Sequence, residues 1–329
     1  MISAVDVVRC IELGEMRSKN IWNFYHFAKL NRIGYYFLYK IREHGLDLPH
    51  KLAEIVRKED KRYRCIMEEF VNISSLLDSF DVDFVVFKSL KPFPSTTVDI
   101  DVVVFDGFRR AVKCLVSRGY RVLGYGPESV TLQDPRKVVG VDLYREVAVS
   151  RLKYLSKNIL RRYVEWVETD FGPVRNLRLE CDLVCVAAHC FVKEQMFTLS
   201  EYFYFVKSLG RCDFDLLLRT AFELCSVFPL NIIFSLVNAV YREIYGKRLV
   251  SMSLDDWEVR FEVKRFRRQN FQVPFKFHPL TVLNGFLKLF AREKEFRKGL
   301  SYQASYLMNL SNFKSFLDEL VKHATRKTY

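Results

Sequence analysis

Two aspartates one residue apart, Asp99 and Asp101, lie in the run Val98-Asp-Ile-Asp-Val-Val-Val-Phe105. The run is rich in Val and Ile and reads as a β-strand, in which side chains alternate between two faces. Val98, Ile100, Val102 and Val104 share one face, and Asp99 and Asp101 share the other with Val103 and Phe105. The two carboxylates then spring from Cα atoms roughly 7 Å apart. A strand this apolar is expected to be covered on both faces. Like charges there raise each other's pKa and cost stability unless a cation neutralises them. Oxygen-only ligands suit Mg²⁺ or Mn²⁺. The competing reading is a pair of solvated carboxylates at a strand end.

Two further features bear on that choice. Lys88-Ser89 closes the preceding strand and faces the loop into the aspartate pair. A serine at such a turn offers a hydroxyl and backbone N–H groups to a phosphate, and Lys88 offers a point charge to the same group. The second feature is Asp142, which interrupts another apolar run, Val138-Val-Gly-Val-Asp-Leu-Tyr144. Gly140 lies on its face and leaves room for a ligand or backbone to approach. Three carboxylates from two strands are what a two-metal phosphoryl-transfer site requires. Two divalent ions roughly 3.5–4 Å apart need bridging carboxylates and stabilise both the attacking and the leaving oxygen.

Composition sets the frame for these residues. The chain has 329 residues, half of them hydrophobic, with 13 Gly and 9 Pro. That describes an ordered, mostly helical protein of two or three domains. No apolar run reaches the ~18 residues expected of a membrane span. The longest, Phe228 to Tyr241, is interrupted by Asn231, Ser235 and Asn238. The N-terminus lacks the basic start and small-residue cleavage site of a signal peptide, so a cytoplasmic protein with no membrane partner is expected. A net charge of +13 and a pI near 9.3 favour an anionic partner, nucleic acid or nucleotide phosphate. Most basic clusters alternate with acids and read as solvated helix faces. Lys264-Arg265-Phe266-Arg267-Arg268, with Phe271 nearby, combines cations with aromatics in a way that suits phosphate contact and base stacking. The eight cysteines read as free thiols. Cys181, Cys185 and His189 share a helical face beside Cys190, a pattern of buried small residues more than of a soft-metal site.

Helical periodicity fills residues 1 to about 78, with one pattern over Ile21 to Ile41 and a second over His50 to about Leu77. A strand at Val82 to Lys88, a Pro-bearing loop and the aspartate strand follow. Asp106 reads as the N-cap of a helix through Ser117. Strand patterns recur at Tyr120 to Tyr125, Ser129 to Gln133 and Lys137 to Val147. A helix is expected over Ser150 to Arg162, then a hairpin of Val164 to Thr169 and Val174 to Leu177 around Phe171-Gly-Pro173. Beyond Leu179 the chain reads as helical, with a loop-like interval at about Ser251 to Pro279. The expected organisation is α+β: an N-terminal helical region (1–78), a mixed-sheet α/β domain (79–178) and a C-terminal helical region (179–329).

A strand ending in Ser, then Asp-hydrophobic-Asp about ten residues on, then a later hydrophobic-Asp-hydrophobic, resembles the DNA polymerase beta-like nucleotidyltransferase superfamily. More narrowly, the chain resembles the uncharacterised prokaryotic nucleotidyltransferases with helical flanks. Four stretches carry the resemblance: Phe27-Ala-Lys-Leu-Asn-Arg-Ile33, Phe87-Lys-Ser89 with Asp99-Ile-Asp101, Val141-Asp-Leu143, and Phe171-Gly-Pro-Val-Arg-Asn-Leu177 leading to Asp182 and His189. They touch most of residues 20 to 210. The resemblance implies a nucleotidyltransferase-like sheet and transfer of an NMP from an NTP, ATP among the candidates, to a hydroxyl with release of pyrophosphate. It implies that Asp99 and Asp101 ligate both metals, and that Asp142 ligates the catalytic one and helps activate the acceptor hydroxyl. It places Ser89, beside Lys88, on the triphosphate. The family usually has Gly where Lys88 stands and often His where Tyr144 stands. Its Leu-x-Pro-Glu-Asp is Leu177-Arg-Leu-Glu-Cys-Asp182 here. The acceptor stays open among an RNA end, a protein side chain and a small molecule, as does oligomeric state. Two alternatives stand on the same fold: a non-catalytic nucleotide- or RNA-binding module, and a toxin–antitoxin-type interaction protein. His189 is a candidate base or a satisfied core histidine, and Tyr144 and Arg145 are candidate nucleotide contacts.

Overall fold

The computed structural model describes residues 2–16, 20–149, 151–250 and 256–307, the last six by backbone alone. The architecture is α+β, a mixed sheet between N-terminal and C-terminal helices. Four helices precede the sheet: α1 (Ala4–Leu13), α2 (Ile21–Leu30), α3 (Gly34–Glu43) and the long α4 (His50–Ser79). The aspartate strand is β2 (Asp99–Asp106), preceded by β1 (Asp83–Val86) and followed by α5 (Phe108–Ser117). Next come β3 (Arg121–Tyr125), β4 (Ser129–Gln133) and β5 (Gly140–Tyr144), then a small hairpin of β6 (Val147–Val149) and β7 (Leu152–Leu155). A short α6 (Lys157–Leu160) leads to β8 (Val164–Thr169) and β9 (Gly172–Leu177). The C-terminal half holds α7 (Leu179–His189), β10 (Met196–Phe197), α8 (Leu199–Ser208), α9 (Phe214–Glu223) and α10 (Val227–Tyr245). After these come α11 (Trp257–Arg268), β11 (Phe275–Lys276), α12 (Pro279–Arg292) and α13 (Lys294–Leu307).

Seven strands form the main sheet in the order β3-β4-β5-β2-β1-β9-β8. β2 is central, antiparallel to β1 and parallel to β5. Alternation along β2 supplies two separate cores, as its pattern predicts. Ile100, Val102 and Val104 pack with Phe70, Ile73 and Leu77 of α4 and Leu115 of α5. Val103 and Phe105 join the larger core built from α1, α3, α7, α8 and α10. A strand sandwiched this way buries Asp101 and leaves Asp99, nearer its start, half-buried.

Five expectations need correction. Asp106 ends β2 and does not cap the helix that follows; the N-cap of α5 is Gly107, with a left-handed φ of 72°. The periodicity over Ile21 to Ile41 continues across two helices, α2 and α3. Arg32 between them takes a left-handed φ of 61°, and the buried Asn31 caps the break. The helix expected over 150–162 keeps only its second half, α6 and a 3-10 turn over Arg161–Tyr163, and its first half is the β7 strand, because Arg151 turns left-handed (φ 69°) and sends the chain back along β6; residue 150 lies outside the described residues. The loop-like interval over 251–279 contains α11, whose buried side is only Glu258, Val259, Glu262 and Phe266; residues 251–255 lie outside the described residues. The apolar run ending at Tyr241 extends into the 19-residue α10, which is long and apolar enough by composition to cross a membrane (mean hydropathy 1.2). Here 61% of that window is buried in the fold.

Asn31 ties the N-terminal helices to the C-terminal half. Its Nδ2 donates to the carbonyls of Phe27 (2.9 Å) and Val273 (3.3 Å), and its Oδ1 accepts from the Leu199 N–H (3.4 Å). Asn31→Ala strands the carbonyl and N–H it serves. A loss of about 1–3 kcal/mol is expected in urea unfolding, and an unchanged midpoint would show that the tie carries no stability.

Candidate metal centre

In the parallel register of β2 with β5, Asp101 faces Asp142, and on β4 Thr131 faces Asp142. Partners in adjacent strands point to one side of the sheet, so Thr131, Asp142 and Asp101 form a row across three strands. Asp99, two residues before Asp101, shares their face. The fold thus brings all three expected carboxylates together. One ligand oxygen from each of Asp99, Asp101 and Asp142 lies within 4.8 Å of the others, the one such group of three among the described residues.

Asp101 is the most enclosed of the three, 4% exposed. Its Oδ2 accepts from Lys88 Nζ at 2.6 Å and from Ser89 Oγ at 3.0 Å, while its own N–H donates to Ser89 Oγ at 3.1 Å. Its Oδ1 is buried and makes no hydrogen bond of good geometry among the described residues, while the Tyr144 phenol lies close enough to this carboxylate to help keep it ionised. Both residues expected to address a phosphate, Lys88 and Ser89, therefore engage the carboxylate instead. The turn that delivers them is strained: Lys88 has φ 52°, the left-handed region that glycine enters freely and other residues enter at a cost of about 1 kcal/mol or more. That conformation is held by Asp182 at the start of α7, whose Oδ1 accepts the Lys88 N–H at 2.6 Å and whose other oxygen accepts the Tyr204 hydroxyl.

Electrostatics follow from this packing. Burial pushes Asp99 above the ordinary carboxylate range, and the charges of Asp101 and Asp142 add to it against the pull of Lys88. Burial likewise raises Asp142, offset by the hydrogen bond it accepts from Thr131 Oγ1 (2.6 Å). Burial acts on Asp101 in the same direction, but the charge and hydrogen bond of Lys88 outweigh it and hold this carboxyl below its ordinary value. Tyr144, expected as a nucleotide contact, is buried against Phe87, and its phenol is raised by burial first and then by the charges of Asp101 and Asp142.

The centre opens into a cavity of about 500 Å³ walled by α2, α3 and α4 on one side and α7 and α8 on the other. Lys29, Arg32, Arg62, Lys91 and Lys193 line it with the triad residues Asp99 and Asp101 and with Glu59, Glu194 and Glu201, Arg32 being paired with Glu194 at 2.7 Å. Arg62 donates to the Thr97 carbonyl at 3.0 Å, and Lys91 donates to Ser200 Oγ at 2.7 Å, its ammonium pushed down to about 8 by burial. Thr131, Lys91 and Asp182 were not singled out as site residues from the sequence. A carboxylate among Cys181, Leu183 and Val184 was the available signal for Asp182.

His189 borders the same cavity, with Nδ1 3.0 Å from the Tyr154 hydroxyl and Nε2 3.3 Å from Glu194 Oε1. Both ring nitrogens are engaged, and burial depresses it to about 4. Cys181, Cys185 and Cys190 are buried thiols. The aromatic cluster at Lys264–Arg268 is not a stacking surface. Phe266 and Phe271 are buried in the core, and Arg265 is paired with Glu262 over the Phe275 ring.

The donor set fits a hard divalent cation: three carboxylates, oxygen only, with the buried Oδ1 of Asp101 in their midst. No protein-family model matches the chain, and no curated protein matches its sequence. Among solved structures it is similar to the antibiotic-resistance factor ANT(2'')-Ia, at 12% identity and a TM-score of 0.34, over 50% of this chain and 92% of that one.

Asp182 generates a pH prediction. Burial raises it from 3.8 to about 6. The folded state therefore holds its proton more tightly than the unfolded state, and this contribution is complete below 3.8 and lost as pH rises through about 6. Relative to Asp182→Asn, the wild-type chain should gain on the order of 2–3 kcal/mol as pH falls from 7 to 4. A constant difference across that window in chemical denaturation would contradict it.

Proposed function

We propose that the chain is a divalent-metal-dependent nucleotidyltransferase, moving an NMP from an NTP to a hydroxyl acceptor with release of pyrophosphate. The observation that carries this reading is the convergence of Asp99, Asp101 and Asp142, with Asp99 and Asp101 lining a cavity where Lys29, Arg62 and Lys193 stand alongside Glu59, Glu194 and Glu201. The three aspartates would hold the metal, which when bound lowers the barrier by neutralising charge on the phosphoryl oxygens. The chain's own residues do the rest. Lys29, Arg62 and Lys193 offer positive charge to a triphosphate from the cavity wall. Asp142, raised by burial, is placed to take the proton of the acceptor hydroxyl as oxygen attacks the α-phosphorus and pyrophosphate leaves. Thr131 holds that carboxylate in line. His189, with both nitrogens engaged, positions the wall and does not serve as base. The fold proposed for the sheet is nucleotidyltransferase-like, the family that the sequence resembles.

One observation favours a second reading. Lys88 already neutralises Asp101, as a nucleotide-binding module without turnover would allow.

Incubation with labelled ATP, CTP, GTP or UTP, Mg²⁺, and RNA, protein or small-molecule acceptors separates the two. Label transfer is expected, abolished by EDTA and reduced at least about 100-fold by Asp99→Asn, Asp101→Asn or Asp142→Asn. Nucleotide binding without transfer would support the module, and transfer that survives all three substitutions would remove the triad from the chemistry.

A further inference from the structure

We propose that the Lys88 ammonium takes one of the two cation positions of this centre, so that the chain binds a single divalent ion through Asp99, Asp142 and Oδ1 of Asp101. The inference rests on the reading of the triad as a metal centre.

Paired ions need a carboxylate that lends one oxygen to each. Asp101 is the residue placed to do so, beside Asp99 along the strand and beside Asp142 across the register. Its two oxygens are not equivalent. Oδ2 is filled by Lys88 and Ser89, and Oδ1, with only the Tyr144 phenol near the carboxylate, makes no hydrogen bond of good geometry among the described residues. One oxygen remains for one ion.

The lysine is fixed in place rather than loosely paired. Its side chain is 13% exposed and its backbone is turned into the left-handed region, where Asp182 fastens its N–H. Withdrawing the ammonium would leave Oδ2 of a buried carboxylate with Ser89 Oγ as its remaining partner.

Charge points the same way. Three carboxylates are balanced by one divalent ion and one ammonium. A second divalent ion would sit against the ammonium beside a buried carboxylate, and like charges at that range repel. An ammonium supplies a compact charge and makes no demand for further ligands.

The test is metal stoichiometry of the full chain titrated with Mn²⁺ alone, read by equilibrium dialysis and electron paramagnetic resonance. The wild-type chain is expected to bind one Mn²⁺ with no spin coupling, and Asp99→Asn to weaken that binding at least tenfold. Lys88→Met is expected to admit a second ion, giving two per chain and a spin-coupled signal. Lys88→Gly, which relieves the left-handed backbone, carries the same expectation should the methionine variant not fold. Two coupled ions in the wild-type chain would overturn the inference and leave the metal centre standing. No bound ion would overturn the metal centre itself. A folded Lys88 variant that stays at one ion would overturn the role given to the lysine.

Discussion

Negative charge buried on a β-sheet is the constraint on which this structure turns. Asp99, Asp101 and Asp142 sit on one face of adjacent parallel strands, close enough that each opposes ionisation of the others. A sheet covered on both sides offers them little water, and unpaired charge in such a place is costly. The chain answers with Lys88, and the answer spreads outward. The lysine needs a left-handed turn, the turn needs Asp182, and Asp182 is kept in place by the Tyr204 hydroxyl of α8. A carboxylate in the sheet is thereby connected to the packing of the C-terminal helices. Breaking a buried pair by removing one partner is strongly destabilising, so this chain of contacts is a stability element as well as a site.

The remaining architecture serves the same row of acids. α4 and α5 seal the apolar face of β2, which leaves its acidic face to look into the space between helical groups. The N-terminal helices and α7, α8 and α10 share one core, so the walls of the cavity are held together by the interior of the protein. Glu69 of α4, fully buried, accepts the Tyr120 hydroxyl and pairs with Lys137 at 3.3 Å, which fixes the segments flanking β3 and β5. Rigid support on every side is what a metal centre needs if its ligands are to keep their spacing.

Much of the site was legible in the sequence because strand alternation is a strong signal. The run from Val98 to Phe105 fixed which side chains share a face, and the Asp142 run repeated the pattern; burial in two cores and the Asp101–Asp142 register agree with it. The hairpin around Phe171-Gly-Pro173 also stands where the turn residues put it. Other features were beyond local pattern. The break at Asn31 depends on partners more than 160 residues away, and the turn at Arg151 depends on backbone conformation at a residue with no turn preference. Lys88 reads equally well as a phosphate ligand and as an ion-pair partner; only the placement of Asp182 and Ser89 beside it decides where its ammonium goes. The Lys264–Arg268 cluster misled for a related reason, since an amphipathic helix that buries Phe266 has the same composition as a surface that stacks on bases.

The central claim is that these three carboxylates form a cation site. Crystals of the chain grown or soaked with Mn²⁺ and measured at a wavelength where manganese scatters anomalously test it most directly. The account requires an anomalous peak within direct coordination distance of Asp99, Asp142 and Oδ1 of Asp101. A well-ordered triad with no peak at millimolar Mn²⁺, or a peak bound elsewhere while the triad stays empty, would contradict it.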